Sequence, residues 1–155
     1  MTQLKQETLE KLQASLYRQL PLYEHVGLTV LEAGNRNRFR VPLNERNKNH
    51  FGSVHAALQW AVAEAAGGIA GATLTALNKN NEYFLVVKQV TIDFLKPAMT
   101  DVDALVIITD EQIAAIDRGL AAHGKVEWIL NCEIKNTRDE VVARTTATYY
   151  ASKQR

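Results

Sequence analysis

The segment that decides the fold is Val-His-Ala-Ala-Leu-Gln-Trp-Ala-Val-Ala-Glu-Ala-Ala-Gly-Gly-Ile-Ala-Gly-Ala-Thr-Leu-Thr-Ala-Leu, residues 54–77. It contains nine alanines and three glycines, and Glu64 is its only aspartate, glutamate, lysine or arginine. A helix that is apolar on nearly all sides is typical of a protein interior, and its small residues predict that other backbone approaches it closely. The length would also allow a membrane span, but His55, Gln59 and Glu64 interrupt the run. We therefore expect a buried helix and no membrane association.

Alternating apolar and polar residues predict strands on both sides of this helix. Two strands are expected before it, at residues 26–33 and 36–43, followed by a loop over residues 44–53. Four strands are expected after it. One face of the first carries Val86, Val90, Ile92 and Phe94, and one face of the second carries Ala104, Val106 and Ile108. The third is expected near residues 125–135 and the fourth near residues 141–151. One apolar helix against a largely antiparallel sheet predicts an α+β fold in which the sheet curls around the helix.

Two further helices complete the predicted organisation. Leucines at three- and four-residue spacing predict an amphipathic helix over residues 3–20 of the N-terminal segment 1–21, which Pro21 ends. A second surface helix is expected as an insertion at residues 110–123, with Gly124 as its stop. Residues 1–155 are the size of one domain, and we expect a single one.

Composition excludes several classes of function. The 18 Lys and Arg residues against 17 Asp and Glu give a formal charge of +1, so a nucleic-acid-binding surface is not expected. The single cysteine, Cys132, cannot form an intramolecular disulfide, and no Cys/His cluster has metal-binding spacing, so neither a metal nor another cofactor is predicted. The polar N-terminus does not resemble a signal peptide, which makes the cytoplasm the expected location.

The start of the long helix is the first candidate for chemistry. Ser53 is a good N-cap residue, which would leave the amides of Val54, His55 and Ala56 as free donors at the positive end of a helix. Such donors can stabilise the oxyanion that forms during acyl transfer. Ser53 itself lacks the sequence context of a serine nucleophile.

Glu64 is the second candidate. A lone carboxylate in an alanine-rich helix is costly to bury without partners, so a buried Glu64 would be a perturbed group that could act as a base or nucleophile. The alternative is a solvated helix face or a structural ion pair. Lys88 falls on the predicted inner face of its strand and is the obvious partner, unless a bulge turns it to solvent.

The spacing of the two candidates has a consequence for assembly. Ala56 and Glu64 are eight residues apart, which is roughly 12 Å along a helix. Within one chain, the amide and the carboxylate cannot both reach one carbonyl group. If both act, each active site needs two copies of the chain related by a two-fold axis.

The order of elements and one run of residues resemble the hotdog-fold acyl-CoA thioesterases, especially the PaaI-like branch. The run is Asn49, then Gly52-Ser53-Val54-His55-Ala56-Ala57, then Glu64 nine residues after His55. The N-terminal helix and the insertion are closer to the DUF4442-like group of the same superfamily. The resemblance implies a hotdog fold, in which a curved antiparallel sheet wraps around a long central helix, and a homodimer or a dimer of dimers.

The resemblance also implies roles for particular residues in hydrolysis of an acyl-CoA or acyl-carrier-protein thioester. Glu64 would be the general base or nucleophile, and the Ala56 amide would polarise the thioester carbonyl, with Asn49 and His55 shaping the site. Ser53, Ala57, Val87 and Lys88 would contact substrate. The family's His-Gly-Gly is His55-Ala56-Ala57 here, and a hydroxyl that related enzymes carry near Val87 is missing, with Lys88 replacing part of its role.

Three simpler alternatives remain open from the sequence. Asn49 could be only a turn residue, and His55 only a cap. His50 lies fourteen residues before Glu64, an interval similar to that of hotdog 3-hydroxyacyl dehydratases. A hotdog protein that binds an acyl thioester without hydrolysing it is the third alternative, favoured by the differences at Ala56, Ala57 and Val87.

Overall fold

The computed structural model describes residues 1–78 and 82–153. Its elements in chain order are α1 (Gln6–Gln19), α2 (Pro21–His25), β1 (Thr29–Glu32), β2 (Arg36–Val41), α3 (Ala56–Thr73), β3 (Tyr83–Phe94), β4 (Val102–Ile107), α4 (Asp110–His123), β5 (Lys125–Asn136) and β6 (Val141–Lys153). A 3-10 turn, Ala76–Asn78, follows α3.

The six strands form one antiparallel sheet in the order β1-β2-β4-β5-β6-β3, so β1 and β3 are its edges. The long helix α3 contacts five of the six strands, β2 to β6, and half of its 18 residues are buried. A sheet can touch one helix along so many strands only by curving around it. The predicted α+β architecture is therefore confirmed, with α3 as the central helix.

The small residues of α3 admit aromatic side chains. A Cβ atom at Gly67 would lie 2.0 Å from the Tyr149 hydroxyl oxygen, and one at Gly71 would lie 2.5 Å from the Trp128 ring. The rings of Tyr149 and Trp128 stack with centroids 5.9 Å apart. At these two glycines, side chains of β6 and β5 approach the helix, and not the backbone that its small residues predicted.

Most predicted boundaries agree with the structure to within a few residues. The insertion helix α4 spans the predicted residues, begins with a capping box at Thr109 and ends at Gly124, whose φ of +65° is left-handed. The N-terminal helix ends at Gln19, one residue earlier than predicted. Pro21 then begins the separate short helix α2, as its fixed φ and missing N–H favour at a first helical position.

The predicted inner face of β3 is wrong in part. The register between β3 and β6 shifts between Val87 and Gln89, so the alternation of faces changes phase there. Val90 and Ile92 pack against the core as predicted, but Val86 and Phe94 are exposed. Before the shift, the partly buried residues are Tyr83, Leu85 and Val87.

None of the helices in the described part of the chain combines the length and the hydropathy that crossing a bilayer requires.

Candidate functional site

Glu64 lies in the middle of α3 at the wall of a cavity of about 250 Å³. Its carboxylate accepts a hydrogen bond from the Tyr23 hydroxyl, with 2.8 Å between Oη and Oε2. We call this space the Glu64 cavity. Its lining comes from α1, α2, α3, β3 and β6: Leu16, Gln19, Leu20, Tyr23, Glu64, Ala65, Gly68, Ile69, Ala72, Leu85, Val86, Val87 and Tyr149.

The environment of Glu64 favours its protonated form. Burial raises the pKa of the Glu64 carboxyl above its usual value, and the hydrogen bond from Tyr23 opposes that shift. Burial and the neighbouring Glu64 charge raise the pKa of Tyr23, so this phenol stays a donor. Among the residues that the structure describes, no lysine or arginine forms an ion pair with Glu64. A partly buried carboxylate with one neutral donor can accept a proton readily.

Tyr149 holds the helix at this point. Its ring is 1% exposed, and its hydroxyl donates a hydrogen bond to the backbone carbonyl of Glu64, with 3.1 Å between the oxygens. Burial raises the pKa of Tyr149 well above its ordinary value. Two tyrosines therefore fix Glu64, one through its carboxylate and one through its backbone.

Lys88 does not contact Glu64, which corrects the sequence-based prediction. The register shift beside it turns Lys88 outward, where its ammonium group pairs with the Glu127 carboxylate of β5 on the same outer face of the sheet. Both side chains of this pair are about half exposed. The strand bulge that the sequence analysis gave as the alternative explains this position, because one extra residue reverses which face a side chain occupies.

The long helix begins at Ala56, and His55 is its N-cap, not Ser53 as predicted. The His55 side chain accepts a hydrogen bond from the Ala57 amide through Nδ1. The Val54 amide donates to the Ala98 carbonyl and the His55 amide to the Asn47 carbonyl, so neither is free. Within residues 1–78 and 82–153, no acceptor is bonded to the Ala56 amide. One of the three predicted free donors therefore remains.

Asn49 and Ser53 build the loop that leads into α3. The Asn49 side-chain carbonyl accepts from the amides of Phe51 and Ser53, and its NH2 group donates to the Ser53 hydroxyl. Ser53 is 5% exposed. With its side-chain atoms bonded inside the loop, Asn49 acts here as a turn residue that positions the helix start.

A second cavity, of about 320 Å³, lies at this helix start, and we call it the Ala56 cavity. It is lined by Asn49, Phe51, Ser53, Val54, Ala56, Gln59, Phe94, Leu95, Lys96, Pro97 and Ala98. Gln59 is 4% exposed and donates to the Val54 carbonyl, but its Oε1 atom has no partner in the described structure. A buried acceptor without a donor is unfavourable by about 1–3 kcal/mol.

The structure thus gathers the predicted residues into two groups. Glu64 and Val87 line the Glu64 cavity, while Asn49, Ser53 and Ala56 line the Ala56 cavity. The remaining predicted residues lie outside these linings: His55 caps the helix, Ala57 is exposed beside it, and Lys88 faces solvent. His50, which the dehydratase alternative requires, is exposed and packs on the Phe51 ring at 3.9 Å between centroids.

The described residues contain no group of three His, Cys, Asp or Glu side chains that could hold a metal ion. Cys132 is 4% exposed, and burial raises the pKa of its thiol to about 12. Because the thiolate is the reactive form, this cysteine is a core residue.

An antiparallel sheet wrapped around one long helix defines the hotdog fold, and solved hotdog structures resemble the chain closely. A Pseudomonas aeruginosa protein of unknown function, described as a probable thioesterase, is 24% identical, covers 94% of this chain and 95% of its own, and has a TM-score of 0.80. A Chlorobaculum tepidum protein of unknown function is 18% identical over 95% of each chain, with a TM-score of 0.81. A Haemophilus influenzae thioesterase is 18% identical over 99% of this chain and 96% of its own, with a TM-score of 0.74.

The chain belongs to the DUF4442 family, a domain of unknown function whose sequence model matches residues 10–151. No curated protein sequence matches it. The match begins within α1 and ends within β6, so it includes both the N-terminal helix and the insertion. The predicted resemblance to the hotdog superfamily and its DUF4442-like group is confirmed.

Three residues of the two cavities escaped the sequence analysis. The contact of Tyr23 with Glu64 could not be predicted, because the two residues are 41 positions apart in the sequence and only the fold brings α2 to the carboxylate. Tyr149 could have been noticed, since it is the one bulky side chain among small ones on the inner face of β6, with Ala143, Thr145, Ala147 and Ala151. Gln59 was noted only as a polar interruption of the apolar run and not as a site residue.

Proposed function

We propose that the protein hydrolyses the thioester of an acyl-CoA, or of an acyl carrier protein, at a site shared by two copies of the chain. The observation that carries this proposal is the Glu64 carboxylate, which is partly buried beside a cavity, bonded to Tyr23 and without a basic partner among the residues that the structure describes. The names of the Haemophilus influenzae and Pseudomonas aeruginosa proteins support the same class of reaction.

The proposed reaction uses a group from the middle of α3 in one copy and a group from the start of α3 in the other. Glu64 of one copy takes a proton from water while the water oxygen bonds to the thioester carbonyl carbon. The Ala56 amide of the other copy donates to the oxyanion that forms. The intermediate then collapses, the carbon–sulfur bond breaks, and the thiolate takes the proton back from Glu64. The products are a carboxylic acid and a free thiol.

The edge strand β3 offers a geometry that would join the two groups. β3 has twelve residues and one unpaired edge, which is a template for another strand. Antiparallel pairing of two β3 edges about the strand's midpoint sets Phe94 of one copy opposite Tyr83 of the other. Phe94 lines the Ala56 cavity, and the residues next to Tyr83 along the strand, from Leu85 to Val87, line the Glu64 cavity. The two cavities would then adjoin across the interface.

Exposed apolar side chains support pairing at this strand. Phe84, Val86 and Phe94 of β3 are 40%, 44% and 49% exposed, and Leu95 directly after it is 49% exposed. Pairing would remove part of this apolar surface from water, which is favourable by about 25 cal/mol per Å². We therefore expect a homodimer, with a dimer of dimers as a further level of assembly.

The test is release of thiol from a panel of acyl-CoA substrates. Glu64→Gln keeps the size of the side chain and still accepts from Tyr23 but cannot take a proton, so turnover is expected to fall roughly 100- to 10,000-fold. Glu127→Gln is the matched control, because Glu127 lies on the other face of the sheet with Lys88, and it is expected to turn over at the wild-type rate. Undiminished turnover in Glu64→Gln would end the proposal.

Binding without turnover is the second candidate function, and Val87 is the observation that favours it. Val87 lines the Glu64 cavity with an aliphatic side chain, so it offers no hydroxyl to hold an attacking water. In that case acyl-CoA would raise the melting temperature by mass action, while no thiol would be released.

A further inference from the structure

Gly68 differs from the other two glycines of α3 because it makes room for nothing in the protein itself. A Cβ atom there would meet only the Glu64 Oε1 atom and the Tyr149 ring, both at 3.9 Å, which is ordinary van der Waals distance. At Gly67 and Gly71 a Cβ atom would collide with an aromatic ring. Glycine inside a helix is less stable than alanine, so the open space at Gly68 has no explanation in the packing of the chain.

The open space at Gly68 is part of a furrow along α3. Ala65, Gly68 and Ala72 follow one another at three- and four-residue spacing, which places them on one face of the helix, and all three line the Glu64 cavity. From Glu64 to Ala72 this face extends roughly 12 Å, at about 1.5 Å per residue. The carboxylate lies at one end of the furrow.

The other walls of the furrow are largely aliphatic. Leu16 of α1 and Leu20, which joins α1 to α2, cover it, and Leu85 and Val87 of β3 form the opposite wall. Leu16 is 8% exposed, whereas Leu20 is 44% exposed. α1 therefore closes one side of the cavity tightly and leaves the Leu20 side open to solvent.

We propose that this furrow binds the acyl group of the substrate as an extended, unbranched aliphatic chain of about eight carbons, and that α1 sets its length. The proposal rests on the proposed function. A methylene group takes up about as much space as a water molecule, roughly 30 Å³, so the cavity of about 250 Å³ holds about eight. An extended chain advances about 1.2 Å per bond, so eight carbons span about 9 Å and fit the furrow.

The test compares chain lengths in a cavity-filling variant. Wild-type kcat/KM is measured for straight acyl-CoAs from two to sixteen carbons and for phenylacetyl-CoA, and a maximum near eight carbons is expected. Gly68→Leu puts a side chain into the furrow. Each buried methylene contributes about fourfold in affinity, so the ratio of kcat/KM for octanoyl-CoA to kcat/KM for acetyl-CoA is expected to fall about 100-fold. Ala122→Leu, which adds the same side chain on the exposed face of α4, is expected to leave this ratio unchanged.

A second variant keeps the proposal testable if Gly68→Leu does not fold. Leu20→Ala removes part of the cover at the exposed C-terminal end of α1 and is expected to move the maximum of kcat/KM to chains longer by two or more carbons. An equal loss for all chain lengths in Gly68→Leu, an unmoved maximum in Leu20→Ala, or a preference for phenylacetyl-CoA would each overturn the proposal.

Failure of this proposal can be told apart from failure of the proposed function. Binding of the same panel to Glu64→Gln, measured as a rise in melting temperature, is expected to rank the chain lengths in the same order without any turnover. If no thioester is cleaved but octanoyl-CoA stabilises the protein most, hydrolysis is wrong and the furrow is correct. If acetyl-CoA and octanoyl-CoA stabilise it equally, the furrow is wrong.

Discussion

Ala56→Pro removes the proposed oxyanion donor and little else. Ala56 is the first residue of α3, a position where proline is favoured because its N–H has no partner within the helix. The preceding residue, His55, has φ −58° and ψ 139°, which is the extended conformation that proline requires before it. No described residue accepts from the Ala56 amide, so the substitution breaks no hydrogen bond of the protein.

The expected effects on rate and on stability differ widely. Loss of one oxyanion donor costs about 2.7–4 kcal/mol in the transition state, so kcat is expected to fall roughly 100- to 1,000-fold. The free energy of unfolding is expected to change by no more than about 0.5 kcal/mol, which for 155 residues is a change in melting temperature of no more than about 2 °C. Gln6→Pro makes the same change at the first residue of α1 and is expected to leave kcat unchanged.

Mixing two inactive variants tests whether each site is shared. In a heterodimer of Ala56→Pro and Glu64→Gln, one site combines an intact Glu64 with an intact Ala56 amide, and the other site has lost both. After subunit exchange, an equal mixture is expected to recover about a quarter of the wild-type thioesterase activity. Near wild-type kcat in Ala56→Pro would refute the role of the amide, and a mixture that stays inactive would refute the shared site.

Three further predictions concern the surroundings of the carboxylate. Tyr23→Phe removes the hydrogen bond that lowers the pKa of Glu64, so the acid limb of the kcat/KM profile is expected to move to higher pH; an unmoved limb would contradict the role of Glu64 as base. Glu64→Gln is expected to melt at a higher temperature than the wild type at pH 7, because the raised folded pKa of Glu64 makes the wild-type protein less stable as the pH rises from the unfolded pKa, near 4.3, through the folded pKa. The difference in melting temperature is expected to vanish below pH 4, and it would be absent at every pH if Glu64 were solvated. Gly68→Ala is expected to raise the melting temperature by about 2–3 °C, because alanine favours the helix by about 0.5–1 kcal/mol over glycine. Gly67→Ala is expected to lower the melting temperature, because its Cβ would displace the Tyr149 hydroxyl. Equal shifts in thermal melts of the two variants would contradict this difference in packing.

The sequence was sufficient for the elements whose signals are local. The alanine-rich run predicts α3, and α4 lies between its N-cap residue Thr109 and its C-cap residue Gly124. Such signals can be found in the sequence because helix caps and helical periodicity depend on residues only a few positions apart. On the predicted inner face of β3, only Val90 and Ile92 were correct. The bulge there reverses the alternation, and nothing in the residues around Val87 marks where the ladder with β6 shifts.

The candidate site likewise contains some residues that the sequence alone could identify and others that it could not. Glu64 could be identified from the sequence because it is a lone carboxylate in an alanine-rich helix, and Ala56 because it lies at the start of that helix. The partner of Glu64 could not, because Tyr23 reaches it across the fold, and the supposed partner Lys88 depended on a register that only the assembled sheet decides. The cap was assigned to Ser53 by residue preference, whereas the hydrogen bonds of Val54 and His55 to more distant carbonyls move the helix start to Ala56.

The N-terminal segment is better understood as part of the site than as an attachment to it. Tyr23 of α2 donates to the carboxylate, while Leu16 of α1 and Leu20, between the two helices, form part of the cavity wall. Tyr17 of α1 donates a hydrogen bond to the Leu28 carbonyl, just before β1. A displacement of α1 would therefore open the furrow and loosen the donor to Glu64 together. Since the same segment bounds the cavity and tunes the pKa of the proposed base, changes in α1 are expected to alter substrate length and pH dependence jointly, whereas changes on the outer face of the sheet are expected to alter neither.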